Sequence, residues 1–91
     1  MILDYLFTHK NEFINKYDIE RIGLFGSYAR EEATAKSDID IFVKMKPNLF
    51  KVIGLKQEIE EALLRSVDIV REHSHLKSHL KTMIEKDITY V

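Results

Sequence analysis

Residues 38–45, Asp-Ile-Asp-Ile-Phe-Val-Lys-Met, constrain this chain more than any other stretch. Successive side chains of a strand point to opposite faces. Ile39, Ile41, Val43 and Met45 then line one wholly apolar face, and Asp38 and Asp40 open the other. Such a strand buries one face in a core and presents two carboxylates on the opposite side. Two carboxylates roughly 6–7 Å apart on one face repel each other. A hard divalent cation removes that conflict, because Mg²⁺ takes oxygen ligands and is commonly held by one or two carboxylates together with substrate phosphates. Taken alone, the pair is better explained by Asp38 capping a turn and Asp40 lying in solvent.

A second element stands just upstream. Gly26-Ser27 follows the apolar run Ile22-Gly23-Leu24-Phe25 and precedes a helix-compatible run from Tyr28 to Ala33. A strand that ends in Gly-Ser and turns into a helix presents backbone N–H groups, a hydroxyl and the positive end of the helix, which suits a phosphate. Glycine also lets a ligand approach the backbone closely. By itself this is an ordinary turn with Ser27 as N-cap. Joined to Asp38 and Asp40 at short spacing, it becomes a phosphate cradle facing a metal site. Arg30, one turn beyond Ser27, either faces a phosphate or pairs on the surface with Glu31 or Glu32. Ser37 orients the approach to the acidic strand. Lys44 and Lys46 lie about 20 Å along that strand from Asp38, too far for the same phosphate.

The remaining segments supply a scaffold. Leu3, Leu6, Phe7, Phe13, Ile14 and Tyr17 recur at helical spacing and predict an amphipathic helix over 2–17, with His9 in solvent. Residues 19–25 read as the first strand, 27–33 as a short helix, 34–37 as a turn and 38–45 as the second strand. Pro47 stops that strand. A helix over 49–64 follows, with the stripe Val52, Leu55, Ile59, Ala62 and Leu63. Gly54 within it costs about 1 kcal/mol relative to Ala, which predicts a close packing contact or a kink there. Residues 66–70 form the third strand, whose one acid, Asp68, would be costly if buried without a partner. Leu76, Leu80, Met83 and Ile84 mark a last amphipathic helix, and 88–91 an apolar tail able to add an edge strand. His75 and His79 stand four apart, a zinc-compatible spacing without a third ligand; with His73 they read more simply as a solvated helix start.

Ninety-one residues make a single domain over 1–91, with room for one modest core. The order α-β-α-β-α-β-α with three strands predicts an α+β fold, a small mixed sheet with packed helices. Net charge of −1 gives no basis for nonspecific nucleic-acid binding. There is no cysteine, hence no disulfide framework, which fits a reducing cytoplasm. No signal peptide and no membrane-spanning stretch are expected. A Rossmann unit and a P-loop are disfavoured, since G-x-G-x-x-G and a Gly-Lys-Ser/Thr turn are both absent.

At Gly26, Ser27, Ala29, Arg30, Ser37, Asp38 and Asp40 the chain resembles the minimal nucleotidyltransferases (MNT) of the DNA polymerase β nucleotidyltransferase superfamily. The resemblance covers nearly the whole chain and makes Asp68 the third acid. It implies that Gly26, Ser27, Arg30 and Ser37 bind ATP, while Asp38, Asp40 and Asp68 hold Mg²⁺, as two ions. The implied reaction is transfer of AMP to a hydroxyl, that of a tyrosine, on a HEPN-domain toxin, with this chain as antitoxin and a homo- or hetero-oligomer as its setting. One departure is Glu31, where family members often carry Gly; a stiffer cradle helix and an added negative charge are expected from it. Two rivals stay open. One is a non-catalytic antitoxin that occludes its partner. The other is transfer to a small molecule, for which 91 residues leave little room.

Overall fold

In the computed structural model, which describes residues 2–73 and 76–91, the alternation over 39–45 becomes the central strand of a four-stranded sheet. The chain runs α1 (Ile2–Tyr17), β1 (Ile19–Phe25), α2 (Gly26–Ala29), β2 (Ile39–Met45), α3 (Leu49–Leu63), β3 (Val67–Arg71), α4 (Ser78–Asp87) and β4 (Thr89–Tyr90). The sheet order is β3-β2-β1-β4. β1 pairs antiparallel with both β2 and β4, and β2 pairs parallel with β3. A parallel pair needs a crossover of a dozen or more residues, and the 15 residues of α3 supply it.

The apolar face of β2 meets α1 and α3. Ile39, Ile41 and Val43 are fully buried there with Leu6, Phe13, Leu55 and Ile59. Burying each such side chain stabilises by roughly 1.5–3 kcal/mol, and this cluster is the main source of stability. In β1 the inward residues are Ile19, Ile22 and Leu24, a spacing that breaks strict alternation. The register shifts between Ile19 and Arg21, so the extra residue of a bulge restores the inward phase.

α1 matches the residues expected of it, but its stripe is narrower. Leu6, Phe13 and Tyr17 are buried, whereas Leu3 and Phe7 lie on the outer side of the helix and open to solvent, although Ile2, Tyr5 and Leu6 beside them pack on the core. His9 is not simply solvated: its ring stacks with Phe13 at 5.8 Å, and Nδ1 lies 2.9 Å from the Tyr5 carbonyl. In α3, Leu55 and Ile59 are buried, and Ala62 faces outward instead. Gly54 makes the expected close contact, since a side chain there would stand 3.2 Å from the Tyr17 ring. The Tyr17 hydroxyl donates to Glu58 at 2.6 Å and Lys16 reaches the same carboxylate at 2.9 Å, tying α1 to α3. Asn48 caps α3 by accepting from the Lys51 N–H, and Leu64, at φ 54°, ends it.

The opposite face of the sheet carries α4, whose Ile84 is buried. The tail expected to add an edge strand does so: Gly23 pairs with Tyr90 and Leu24 with Thr89. Gly23 has a packing reason to be glycine, because a Cβ would press on Ile88 and the Thr89 carbonyl at 3.0 Å. α2 is much shorter than the expected 27–33. Arg30 closes it and Glu31 turns left-handed at φ 59°. No helix of the described residues is long and apolar enough to cross a membrane.

Candidate active site

β1 ends at Phe25, which pairs in register with Asp40. The next residue, Gly26, has φ +76°. That conformation favours glycine, and a Cβ there would also run into the Asp40 carboxylate. The turn and the acid are therefore packed on each other. Ser27 is half-buried and lies inside the four-residue α2. It is not the N-cap: Phe25 holds that position and no side chain caps the helix. A single turn sums few peptide dipoles, so an anion placed here would meet individual N–H groups and the hydroxyl rather than a macrodipole.

The acids come from three short segments. Ile39 pairs with Val67 and Asp40 with Asp68 across the parallel strands. Ile39 and Val67 are buried beneath α3, so Asp40 and Asp68 share the opposite face at the same level. Neighbouring strands lie about 4.8 Å apart, which brings these carboxylates into direct electrostatic contact. Asp38 lies just before β2 and is exposed. Asp68 is exposed too, not in a buried strand as its apolar neighbours suggested, because no helix covers the start of β3 on that face. Asp40 is half-buried, and burial pushes its carboxyl pKa up, with Asp68 and then Asp38 adding to the rise; Arg30 opposes it.

This donor set fits an oxygen-loving dication. Asp40 is penalised for its charge by burial and by two like charges, and a cation bound at its carboxylate would relieve that penalty. Among the described residues no three His, Cys, Asp or Glu side chains close on a common point. An open acidic cluster suits Mg²⁺, which ordinarily completes its shell with water and substrate phosphate.

The other expected site residues divide. The Arg30 guanidinium bonds Glu32 through Nε at 3.2 Å and Asp87 through Nη1 at 2.6 Å, and Glu31 is not a partner. Ser37 uses its hydroxyl within the loop, accepting from the Thr34 N–H at 2.9 Å while its own N–H donates to the Thr34 carbonyl at 3.1 Å. These bonds close the turn that leads into Asp38. His79 is exposed on α4, and His75 lies outside the described residues. A partly open cavity of about 80 Å³ lies between α4 and the sheet, lined in part by Phe42, Leu76, Ile84 and Tyr90, and Asp38, Asp40 and Asp68 are not part of its wall. It is too small for a nucleotide. Sequence reasoning missed Asp87. It stands 57 residues from Arg30, and its one local signal is an acid at the C-terminal end of a helix.

A mixed four-stranded sheet that sets a Gly-Ser turn against acids on two neighbouring strands defines the class of the nucleotidyltransferases. The chain belongs to the polymerase beta nucleotidyltransferase family, whose model matches residues 9–90. It is 39% identical over 88 residues to the protein adenylyltransferase MntA of Thermococcus cleftensis, covering 94% of this chain and 88% of that one. Two solved structures share the fold. One is a toxin–antitoxin crystallised with AMP-PNP, at TM-score 0.74 and 24% identity over 91% of this chain and 69% of that chain. The other is a tri-AMPylated HEPN toxin from Shewanella oneidensis in complex with an MNT antitoxin, at TM-score 0.65 and 23% identity over 91% and 66%.

Proposed function

We propose that this chain transfers AMP from ATP to a hydroxyl, that of a tyrosine, on a HEPN-type toxin and thereby acts as its antitoxin. The observation that carries the proposal is the placement of Asp40: it packs on Gly26 and stands in register with Asp68. A phosphate cradle and a dication site are thus built on one another. The name of the Thermococcus relative, and the toxin–antitoxin structures that share the fold, support the protein acceptor and the adenylyl group.

In this scheme the backbone at Gly26 and the Ser27 hydroxyl bind the β- and γ-phosphates, with Arg30 at the rim. Asp38 and Asp40 would hold two Mg²⁺ ions, with Asp68 serving one of them; they would neutralise the triphosphate and lower the pKa of the acceptor hydroxyl. Asp68, paired with Asp40 across the two parallel strands, would help activate the acceptor hydroxyl and take its proton. The acceptor oxygen bonds to the α-phosphorus as the bond to the β-phosphate oxygen breaks, and pyrophosphate leaves. The chain's contribution is placement and charge rather than covalent chemistry. Ser37 acts indirectly, by holding the loop that presents Asp38.

The test is incubation with ATP labelled at the α-phosphate, Mg²⁺ and a HEPN-type partner. Label should move to the partner and fail to move in EDTA. Stable association with the partner but no label would replace catalysis with occlusion.

A further inference from the structure

Asp87 is the last residue of α4, and only 15% of its side chain is exposed. Helix stability gives no reason for it, since a carboxylate at a helix C-terminus opposes the macrodipole. Its position is nevertheless tightly fixed. Ile88, the next residue, donates its N–H to Ile84 at 2.9 Å and fills the space left by the missing side chain of Gly23. Thr89 and Tyr90 then pair with β1, and the Val91 N–H donates to Ile22 at 3.1 Å. Asp87 is therefore splinted to the strand that ends in the Gly26-Ser27 turn. From there it bonds the Arg30 guanidinium at 2.6 Å.

Besides Asp87, Arg30 is held by its backbone, whose N–H donates to the Gly26 carbonyl at 3.1 Å, and by an exposed contact with Glu32. Its long side chain would otherwise sample many rotamers, and a phosphate would have to order it on binding. A guanidinium has five N–H donors. The two bonds seen here occupy two of them, so the rest stay available to an anion.

We propose that Asp87 is a positioning residue for nucleotide binding: it holds Arg30 at the rim of the Gly26-Ser27 cradle, so that the triphosphate meets a cation already in place. The proposal rests on the nucleotidyltransferase reading of that cradle. In it, the short C-terminal strand serves the active site by fixing Asp87.

The test is a cycle of Asp87→Ala, Arg30→Ala and the double variant, made in the whole chain. AMP-PNP with Mg²⁺ is titrated by calorimetry, each variant is melted, and transfer is measured in a single turnover at saturating ATP. Asp87→Ala should weaken AMP-PNP binding about five- to tenfold. The saturated rate should stay within about twofold, because the contact is made equally in ground and transition states. In the Arg30→Ala background the same substitution should change nothing, since Asp87 acts through Arg30. Asp87→Asn, which keeps an acceptor oxygen, should recover part of the affinity, and it replaces Asp87→Ala should that variant fail to fold. The proposal is overturned if Arg30→Ala weakens binding and Asp87→Ala does not, or if the Asp87 effect persists undiminished without Arg30. It falls together with the phosphate role of Arg30 if Arg30→Ala binds like wild type. Wild-type chain that binds no AMP-PNP would instead overturn the nucleotidyltransferase reading itself.

Discussion

The two faces of β2 are made from alternate residues of one short segment, yet they do opposite things. On one face Ile39, Ile41 and Val43 are fully buried against α1 and α3, and every neighbour adds stability. On the other, Asp40 is half-buried beside Asp68, with Asp38 close enough to raise its pKa further, and every acidic neighbour subtracts from stability. The first face holds the chain folded. The second keeps an unfavourable concentration of negative charge that a cation and a triphosphate can relieve. In a protein this small, the apolar face has to be nearly perfect for the acidic one to be tolerated.

Substitutions on the two faces should therefore separate. The largest effect is expected from Asp38→Asn with Asp40→Asn, which should cut transfer by about a thousandfold or more while leaving the melting temperature unchanged or higher. Single-turnover transfer, Mg²⁺ calorimetry and a thermal melt check it, and retained Mg²⁺ affinity would break the assignment. One residue along, on the apolar face, Ile41→Ala should do the reverse. It should cost about 3 kcal/mol of stability, seen as a lower urea midpoint at unchanged slope, with activity per folded molecule preserved. Asp68→Asn should slow transfer about a hundredfold with nucleotide affinity near wild type, the pattern of an interaction made in the transition state. Full activity in that variant would leave a two-carboxylate site.

Smaller effects sharpen the contrast. Glu31 sits at φ 59°, where a non-glycine residue is strained. Glu31→Gly should stabilise by about 1 kcal/mol, raising the melting temperature by about 4–8 °C. The smallest effect concerns Asp40→Asn alone in the absence of ligand, which should raise the melting temperature by about 2–3 °C at neutral pH. The folded protein raises the pKa of this carboxyl, so the penalty exists only where the group is ionised. The advantage of Asn should shrink as pH falls through the raised value and vanish below the ordinary value of 3.8. Saturating Mg²⁺ and AMP-PNP should reverse the order of the two proteins.

Much of this architecture was legible in residue order, because the features that set it are periodic or local. The alternation of β2, the stripe of Leu55 and Ile59, and the Gly26-Ser27 turn all declare themselves within a few residues. The register that sets Asp40 beside Asp68 is not written in any local pattern, since it depends on how α3 returns the chain; only the family resemblance joins Asp68 to the acidic pair. What stayed hidden was tertiary or conformational. Nothing near Leu3 or Phe7 says that these two stay outside while Leu6 between them is fully buried. The early stop of α2 depends on a left-handed Glu31, a conformation that glycine signals and glutamate conceals. Ser27 looked like a cap, whereas Phe25 holds that position without a side-chain cap. The partner of Arg30 lies at the far end of the chain.

The pairing of Asp40 with Asp68 also limits how this chain can change over generations. The two acids meet because β2 and β3 run parallel in one particular register. Insert one residue ahead of Asp68 within β3 and the carboxylate turns into the core; insert two and it slides roughly 6–7 Å away from its partner. Length changes are survivable only where slack absorbs them, as in the exposed loop between Arg30 and Asp38 or the connection ahead of Asn48. New specificity is therefore easier to acquire along those loops, by insertion, than on the strands, where single-residue exchanges are the steps that keep the register.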